Sequence, residues 1–389
     1  MNRTVAIIGG GPAGLCLARI LQTNAVSVKV YELEESRNSR PQGGYLDLHE
    51  ETGQRAIREA NLYAEFRANL QPGADRMNVM DETGNLLYQD LGDGAIPEIE
   101  RQDLKGILLD ALEPNTVEWD HKLEKVDSPA TDSEQIRLNF SGGKTAEAYI
   151  VVGADGAWSK VRNVLSELKP MFTGVSLVDA ILSPSFKPTG NLPLGALIAS
   201  DKNSNLLMGF LGPSSRMYFS TKALTPEEVT VASAKKFIAG WHEDFQVLAD
   251  SIQNATVRHI FALPPKMNWH RSSDASESWK SRLTVIGDAA HVMSPFAGEG
   301  ANLALADATD LANSIISALA SEDPLTALKS QIENFEQVMW DRAEKAAEMS
   351  AQNLNSMFSG GSAAVIAELM FKYSAVRKRT VLKYYKQPQ

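Results

Sequence analysis

The chain has 389 residues, 43% of them hydrophobic and 22% charged, the make-up of an ordinary globular protein with room for two or three domains. Its 38 basic and 48 acidic residues leave a formal net charge of −10, with no basic run or RNA-binding pattern, which excludes nucleic acid as an expected partner. No apolar stretch reaches membrane-spanning length, and the single cysteine, Cys16, forbids an internal disulfide and fits a reducing, cytoplasmic setting.

In chain order, Thr4–Gly9 reads as a strand and runs into Gly9-Gly10-Gly11-Pro12-Ala13-Gly14, a G-x-G-x-x-G. A helical pattern follows to about Gln22, and a second strand, Val26–Tyr31, closes on Glu32. That acid stands about 20 positions after Gly9, where a dinucleotide fold places the carboxylate that binds an adenosine ribose. Gly9 permits the tight turn, Gly11 admits a pyrophosphate, Gly14 lets helix and strand pack, and the helix N-terminus faces the anion. Cys16, just inside this helix, reads as core packing.

Arg37–Gly44 is a polar, glycine-rich loop leading to Tyr45–His49, and Thr52–Ala60 is helical. Asn78–Met80 and Leu86–Tyr88 flank a hairpin turn at Asp81–Gly84. Arg101–Leu112 is a helix, and a hairpin at Ser141–Lys144 precedes the strand Tyr149–Val152 and then Gly153-Ala154-Asp155-Gly156. From Gly174 to Val257 the texture turns strand-like, interrupted by one helix that opens with a capping box at Thr225–Glu228 and is predicted to run to Trp241.

Leu283–Ile286 is a short apolar strand ending at Gly287-Asp288. The turn Ser294–Gly300 follows, and a helix begins at Ala301. Strand, carboxylate, glycine turn and helix N-terminus make a cofactor cradle. Asp288 can accept hydrogens from a polyol chain, and the helix start suits an electron-rich ring edge, which points to a flavin. Leu325–Phe358 is a long amphipathic helix, followed by Ser359–Ser362 and a tail carrying Lys372, Arg377, Lys378, Arg379, Lys383 and Lys386. The six histidines, His49, His121, His242, His259, His270 and His291, lack metal-ligand spacing, and no metal is expected.

With these segments in order, the chain resembles the single-component (class A) flavoprotein monooxygenases, on Gly9–Gly14 with Glu32, GADGAWSKVR from Gly153, and IGDAAHVMSPFAGEGAN from Ile286. More narrowly it is similar to the tetracycline-inactivating monooxygenases, the tetracycline destructases. That likeness rests on Gly43–His49, Glu98–Leu104 and the stretches Asn334–Gln337, Gln352-Asn353 and Met357-Phe358.

The fold implied is α/β: a Rossmann-like FAD-binding domain (1–170 and 277–323), an inserted mixed α/β substrate domain (171–276), and a C-terminal bridging helix with a helical tail (324–389). The resemblance assigns FAD to Gly9, Gly11, Pro12, Ala13, Gly14, Glu32, Gly44, Asp47, Arg101, Asp155, Asp288, Pro295, Gly298, Gly300, Ala301 and Asn302. Arg101 and Asp288 would hold the ribityl and pyrophosphate region, and Pro295–Asn302 would line the pyrimidine edge of the ring.

The activity implied is an NADPH- or NADH- and O2-consuming hydroxylation of a phenolic or enolic polycyclic small molecule through a C4a-hydroperoxyflavin, with tetracycline as one candidate substrate. The expected state is a monomer. Val178, Leu197, Met208, Phe210, Met349 and Met357 are the substrate-facing candidates. Leu33 stands where that group can place an arginine after the ribose-binding acid, with Arg37 and Arg40 as substitutes. A reductase or dehydrogenase of the same fold and a non-catalytic FAD-binding relative are the alternatives.

Overall fold

The computed structural model describes residues 3–39, 43–71, 73, 75–130, 134–188, 190, 192–203, 205–211, 215–222, 225–266, 275–358 and 363–372. Arg40, His270, Ser359–Ser362 and the basic residues from Arg377 to Lys386 lie outside these. The chain divides into two compact units. The first is Met1–Leu70, Ile96–Met171 and Phe261–Ala351; the second is Gln71–Ala95, Phe172–Ile260 and Gln352–Gln389.

In the first unit a five-stranded sheet runs in the order Leu283–Val285, Ile150–Gly153, Val5–Ile8, Val28–Tyr31 and Val117–Glu118, every pair parallel. Its central strand, VAII, is buried at all four positions, as expected of a parallel strand covered on both faces. The helix Pro12–Thr23 starts with Pro just inside Gly11, where a missing N–H costs nothing. It packs against the helix Gly300–Leu319. A three-stranded antiparallel layer (Leu123–Asp127, Ile136–Phe140, Thr145–Ala148) and the two-stranded pair Tyr45–Asp47 with Glu98–Glu100 complete the sheets of this unit among the described residues.

The second unit is built on a seven-stranded sheet. Its order is Ile252–Ala262, Met171–Leu182, Arg216–Lys222, Leu206–Leu211, Gly195–Ser200, Met77–Asp81 and Leu86–Asp90. The predicted hairpin at Asp81–Gly84 forms, but its strands join this sheet, Met77–Asp81 running parallel to Gly195–Ser200. The first domain therefore does not run unbroken from 1 to 170, because Gln71–Ala95 belongs to the second unit.

The single helix expected from Thr225 to Trp241 is also broken. A short turn at Pro226–Glu228 is followed by separate helices at Ser233–Phe237 and Glu243–Asp250. The β-branched run Val229-Thr230-Val231 resists helical packing, and the Ser233 hydroxyl takes the Thr230 N–H at 3.0 Å, restarting the chain there. The helix Ser233–Phe237 ends at Ile238, and Gly240, at φ 84°, turns the chain before the next one. The long helix spans Pro324–Phe358.

Candidate functional site

The glycine loop is shaped by its neighbours. Gly9 sits at φ 109°, and a Cβ there would lie 2.2 Å from the Ala154 carbonyl oxygen. A Cβ on Gly14 would lie 2.2 Å from the Gly9 carbonyl oxygen. Gly11 differs: a Cβ there meets nothing within 4 Å. Backbone therefore requires two of the three motif glycines, while the middle one borders open space at the start of the helix carrying Pro12 and Ala13. Glu32, 6% exposed, closes this end: its Oε2 accepts from the Gly10 N–H at 2.5 Å and its Oε1 from the Glu34 N–H at 2.9 Å. Leu33 is 60% exposed beside it. Arg37, a candidate substitute there, donates instead to Asp110 and the Gly106 carbonyl.

Asp155 follows the strand Ile150–Gly153. Its Oδ2 takes the Lys160 N–H at 2.7 Å, while Oδ1 is buried with no hydrogen-bond partner. Burial raises its carboxyl above the usual range, against the pull of its hydrogen bonds. The same segment supplies Arg162, which lies within GADGAWSKVR but carries no local pattern that marks its role. The residue is 2% exposed, and its guanidinium donates to the carbonyls of Ala289 (2.7 Å), Ala157 (2.6 Å) and Leu168 (3.3 Å). Desolvation lowers its pKa, with Asp155 opposing. The Asp155 segment is thereby tied to the turn that begins at Gly287, where Asp288 itself faces solvent.

A second cluster forms around the helix Gly300–Leu319. Gly44, at φ 94°, accepts the Arg101 N–H on its carbonyl at 3.0 Å. Pro295–Ala297 forms one tight turn, Gly298 follows at φ 70°, and Gly300 opens the helix with free space where a Cβ would stand. A Cβ on Gly298 would lie 3.6 Å from Asp47 Oδ2. His49 stands between two acids, Nε2 3.3 Å from Asp47 Oδ2 and Nδ1 3.6 Å from Glu299 Oε2. Burial raises the Glu299 carboxyl, with Asp47 adding and His49 opposing. His49 and Glu299 are not legible as a pair in the sequence, because the elements that carry them are far apart in the chain.

Asn302 is fully enclosed by protein. It is 0% exposed and its side chain is committed to protein: Oδ1 accepts the His49 N–H at 2.8 Å and Nδ2 donates to the Asp47 carbonyl at 2.8 Å. Ala301 beside it is half-buried. Asn302 braces the cradle, and only its backbone is left to meet a ligand.

The substrate-facing candidates separate. Val178 and Leu197, both 0% exposed, pack with Leu207 and Phe219 in the second unit's core. They line no surface, because alternation along a strand turns them away from the face carrying Met208 and Phe210. Cross-strand register places Tyr218 opposite both Met208 and Asp179, and Arg216 opposite Phe210. Asp179, with 2% of its side chain exposed, takes Arg216 at 2.6 and 2.7 Å and Arg258 at 2.6 Å. This acid with two arginines went unnoticed in the sequence, because alternation sets the face of each residue but not which strands become neighbours. Met349 is 36% exposed on the long helix, and Met357 is 3% exposed.

Among the described residues, no group of His, Cys, Asp or Glu is placed to hold a metal ion, and no helix is long and apolar enough to cross a membrane.

Comparison with known proteins gives a consistent picture. The family described as FAD binding domain matches residues 2–346. The chain is 28% identical to the monooxygenase penA of Penicillium thymicola, over 95% of this chain and 100% of that one. It is 25% identical to the 6-hydroxynicotinate 3-monooxygenase of Pseudomonas fluorescens, over 79% of this chain and 81% of that one. The tetracycline destructase Tet(51) shares the fold, with a TM-score of 0.65 at 17% identity over 94% of this chain and 98% of that one.

Proposed function

This chain belongs to the FAD binding domain family and is an FAD-dependent monooxygenase of the aromatic-hydroxylase type; from that premise we propose that NADPH or NADH and O2 are its co-substrates and that it hydroxylates a planar phenolic or enolic small molecule. The residues present fit the cofactor. Open space at Gly11 and Gly300, a solvent-facing Asp288 and the buried, unpartnered Asp155 Oδ1 leave room and polar contacts in the first unit.

When bound, FAD supplies electron transfer from the nicotinamide to O2 and delivery of one oxygen atom to the substrate, the other leaving as water. The chain's own groups bind and orient. N–H groups at the start of the helix Pro12–Thr23 receive the pyrophosphate, and Glu32 meets the adenosine ribose. Asp288 and Arg101 take the ribityl chain and its phosphates. The N-terminus of Gly300–Leu319, entered through Pro295 and Gly298, stabilises negative charge at the ring edge. Beside it, His49 keeps its Nε2 within hydrogen-bond distance of Asp47 (3.3 Å) and its Nδ1 at ion-pair distance from Glu299 (3.6 Å), so a protonated imidazole there would offset the charge of both acids.

One observation carries the substrate class. On one face of the second unit's sheet, Met208, Phe210 and Tyr218 stand beside Arg216 and Arg258, and Asp179 orients both arginines. Two guanidiniums against one carboxylate leave net positive charge next to apolar and aromatic groups. That combination suits a flat anionic phenol or enol. The relative named for 6-hydroxynicotinate supports this reading.

The test is mass spectrometry of 6-hydroxynicotinate, salicylate and tetracycline after incubation with the protein, FAD, NADPH and O2. A product heavier by one oxygen, with substrate-stimulated NADPH consumption, supports the proposal and selects the substrate. NADPH consumption that none of the three stimulates, with no oxygenated product, rejects this substrate class.

A further inference from the structure

Behind the Gly287–Asp288 turn lies a buried ionic chain that the function above does not use. Asp307, on the helix Gly300–Leu319, is 0% exposed. Its Oδ2 accepts the Gly287 N–H at 3.0 Å and lies 2.6 Å from His291 Nε2. Its Oδ1 accepts from Arg342 of the long helix at 2.8 Å. Arg342 also donates to Asp310 at 2.8 Å, and Arg55 donates to Asp310 at 2.7 Å.

The turn being held is unusual. Gly287 stands at φ 60°, ψ −140°, and a Cβ there would approach the Ala304 Cβ to 2.9 Å. The next four residues, Asp288–His291, form a single helical turn with exposed Asp288 at its start and His291, 2% exposed, at its end. One carboxylate thus grips this turn at both ends.

We propose that Asp307 and His291 are positioning residues for the cofactor: by fixing the backbone before Asp288 and the side chain after it, they set the direction in which Asp288 meets the polyol chain. Rigidity is what these contacts contribute. A lone carboxylate on a one-turn helix has several rotamers and a backbone free to tilt, and both freedoms are lost on binding. Charge-assisted bonds to a fully buried anion remove the backbone part in advance. Arg342 and His291 hold Asp307 ionised despite its burial, lowering its pKa, and Asp307 raises that of His291 in turn. On the same turn the Ala289 carbonyl is held by Arg162 at 2.7 Å.

The inference rests on Asp288 being a cofactor ligand, so the experiment separates the two. FAD dissociation constants are measured by flavin fluorescence quenching on the full apo chain for Asp288→Asn, His291→Leu, His291→Gln and the double variant Asp288→Asn/His291→Leu. Asp288→Asn should weaken binding about tenfold or more, and His291→Leu about fivefold. His291→Gln, whose amide can still donate to Asp307, should stay within about twofold of wild type. The double variant should bind no worse than Asp288→Asn alone, since direction no longer matters once the ligand is gone.

Unchanged binding in Asp288→Asn would reject Asp288 as a ligand. Weakening in Asp288→Asn but not in His291→Leu, or effects that multiply in the double variant, would overturn the positioning role. Asp307→Asn is the harsher variant, since it strands His291 and Arg342. Where it fails to fold, the Leu and Gln variants of His291 carry the test.

Discussion

The guanidinium of Arg162 donates a 2.7 Å hydrogen bond to the carbonyl oxygen of Ala289, joining segments that lie 127 positions apart in the chain. Since Arg162 also holds the Ala157 and Leu168 carbonyls, it is a rivet between the Asp155 and Asp288 segments. Arg162→Met would leave three carbonyls short of a donor, costing on the order of 2–4 kcal/mol. Thermal unfolding of the apo protein checks this. A melting temperature equal to wild type would show that the rivet bears no load.

Gly11 and Gly14 should respond oppositely to the same change. Gly11→Val enters open space at φ −76°, an ordinary conformation for any residue. The apo protein should fold with nearly unchanged stability while FAD binding weakens at least about tenfold. Gly14→Val drives a side chain into the Gly9 carbonyl, so the protein should be strongly destabilised or insoluble. Circular dichroism melts and FAD titration separate the cases, and full FAD occupancy in Gly11→Val would contradict the loop's assignment.

Asn302→Ala should cost stability first. It removes the buried amide that bridges the His49 N–H and the Asp47 carbonyl at 2.8 Å each, leaving both polar groups without that partner. A loss of about 2 kcal/mol is expected from denaturant unfolding of the apo protein. An unchanged unfolding midpoint would mean that water replaces the amide without cost.

Cys16 provides a pH signature. Burial, with a smaller push from Glu59, raises its thiol from 9.0 to about 12. The folded state therefore keeps its proton where the unfolded chain loses it. The stability this contributes is complete below pH 9.0 and is lost progressively between pH 9.0 and about 12. The stability difference between wild type and Cys16→Ala should shrink as pH rises from about 8.5 to 10. A pH-independent difference would contradict it. The same burial predicts no reaction with thiol reagents until the protein unfolds.

Arg258 and Asp179 should divide stability from recognition. Arg258 has 55% of its side chain exposed, so Arg258→Gln should change stability by less than about 1 kcal/mol while raising KM for an anionic substrate. Asp179→Asn leaves Arg216, with 12% of its side chain exposed, without its anion and should destabilise by about 3 kcal/mol. Chemical denaturation and steady-state kinetics read the two effects. An unchanged KM in Arg258→Gln would remove that residue from substrate recognition.

Legibility followed sequence distance. The glycine loop, the strand ending at Glu32 and the turn from Ser294 to Gly300 could be read because each is a local pattern, its chemistry set by residues within one turn or strand. The helix expected to reach Trp241 failed on a local competition, in which the Val229–Val231 run and the Ser233 hydroxyl outweighed a good capping box. Val178 and Leu197 were separated from Met208 and Phe210 by strand alternation alone, a sequence property whose meaning depended on which sheet face the helices covered.

The sequence by itself determined the cofactor class and the parallel α/β core, because backbone conformations and anion-binding helix starts are written in short motifs. Only the tertiary structure decided that Gln71–Ala95 joins the second unit's sheet, that Arg162 fastens Ala289, that Asn302 braces rather than lines the cradle, and that Asp307 grips the Gly287–His291 turn. Each is a hydrogen bond or strand pairing between segments far apart in the chain. Such a contact has no signature in either segment alone, because its geometry exists only once the core between the two has packed.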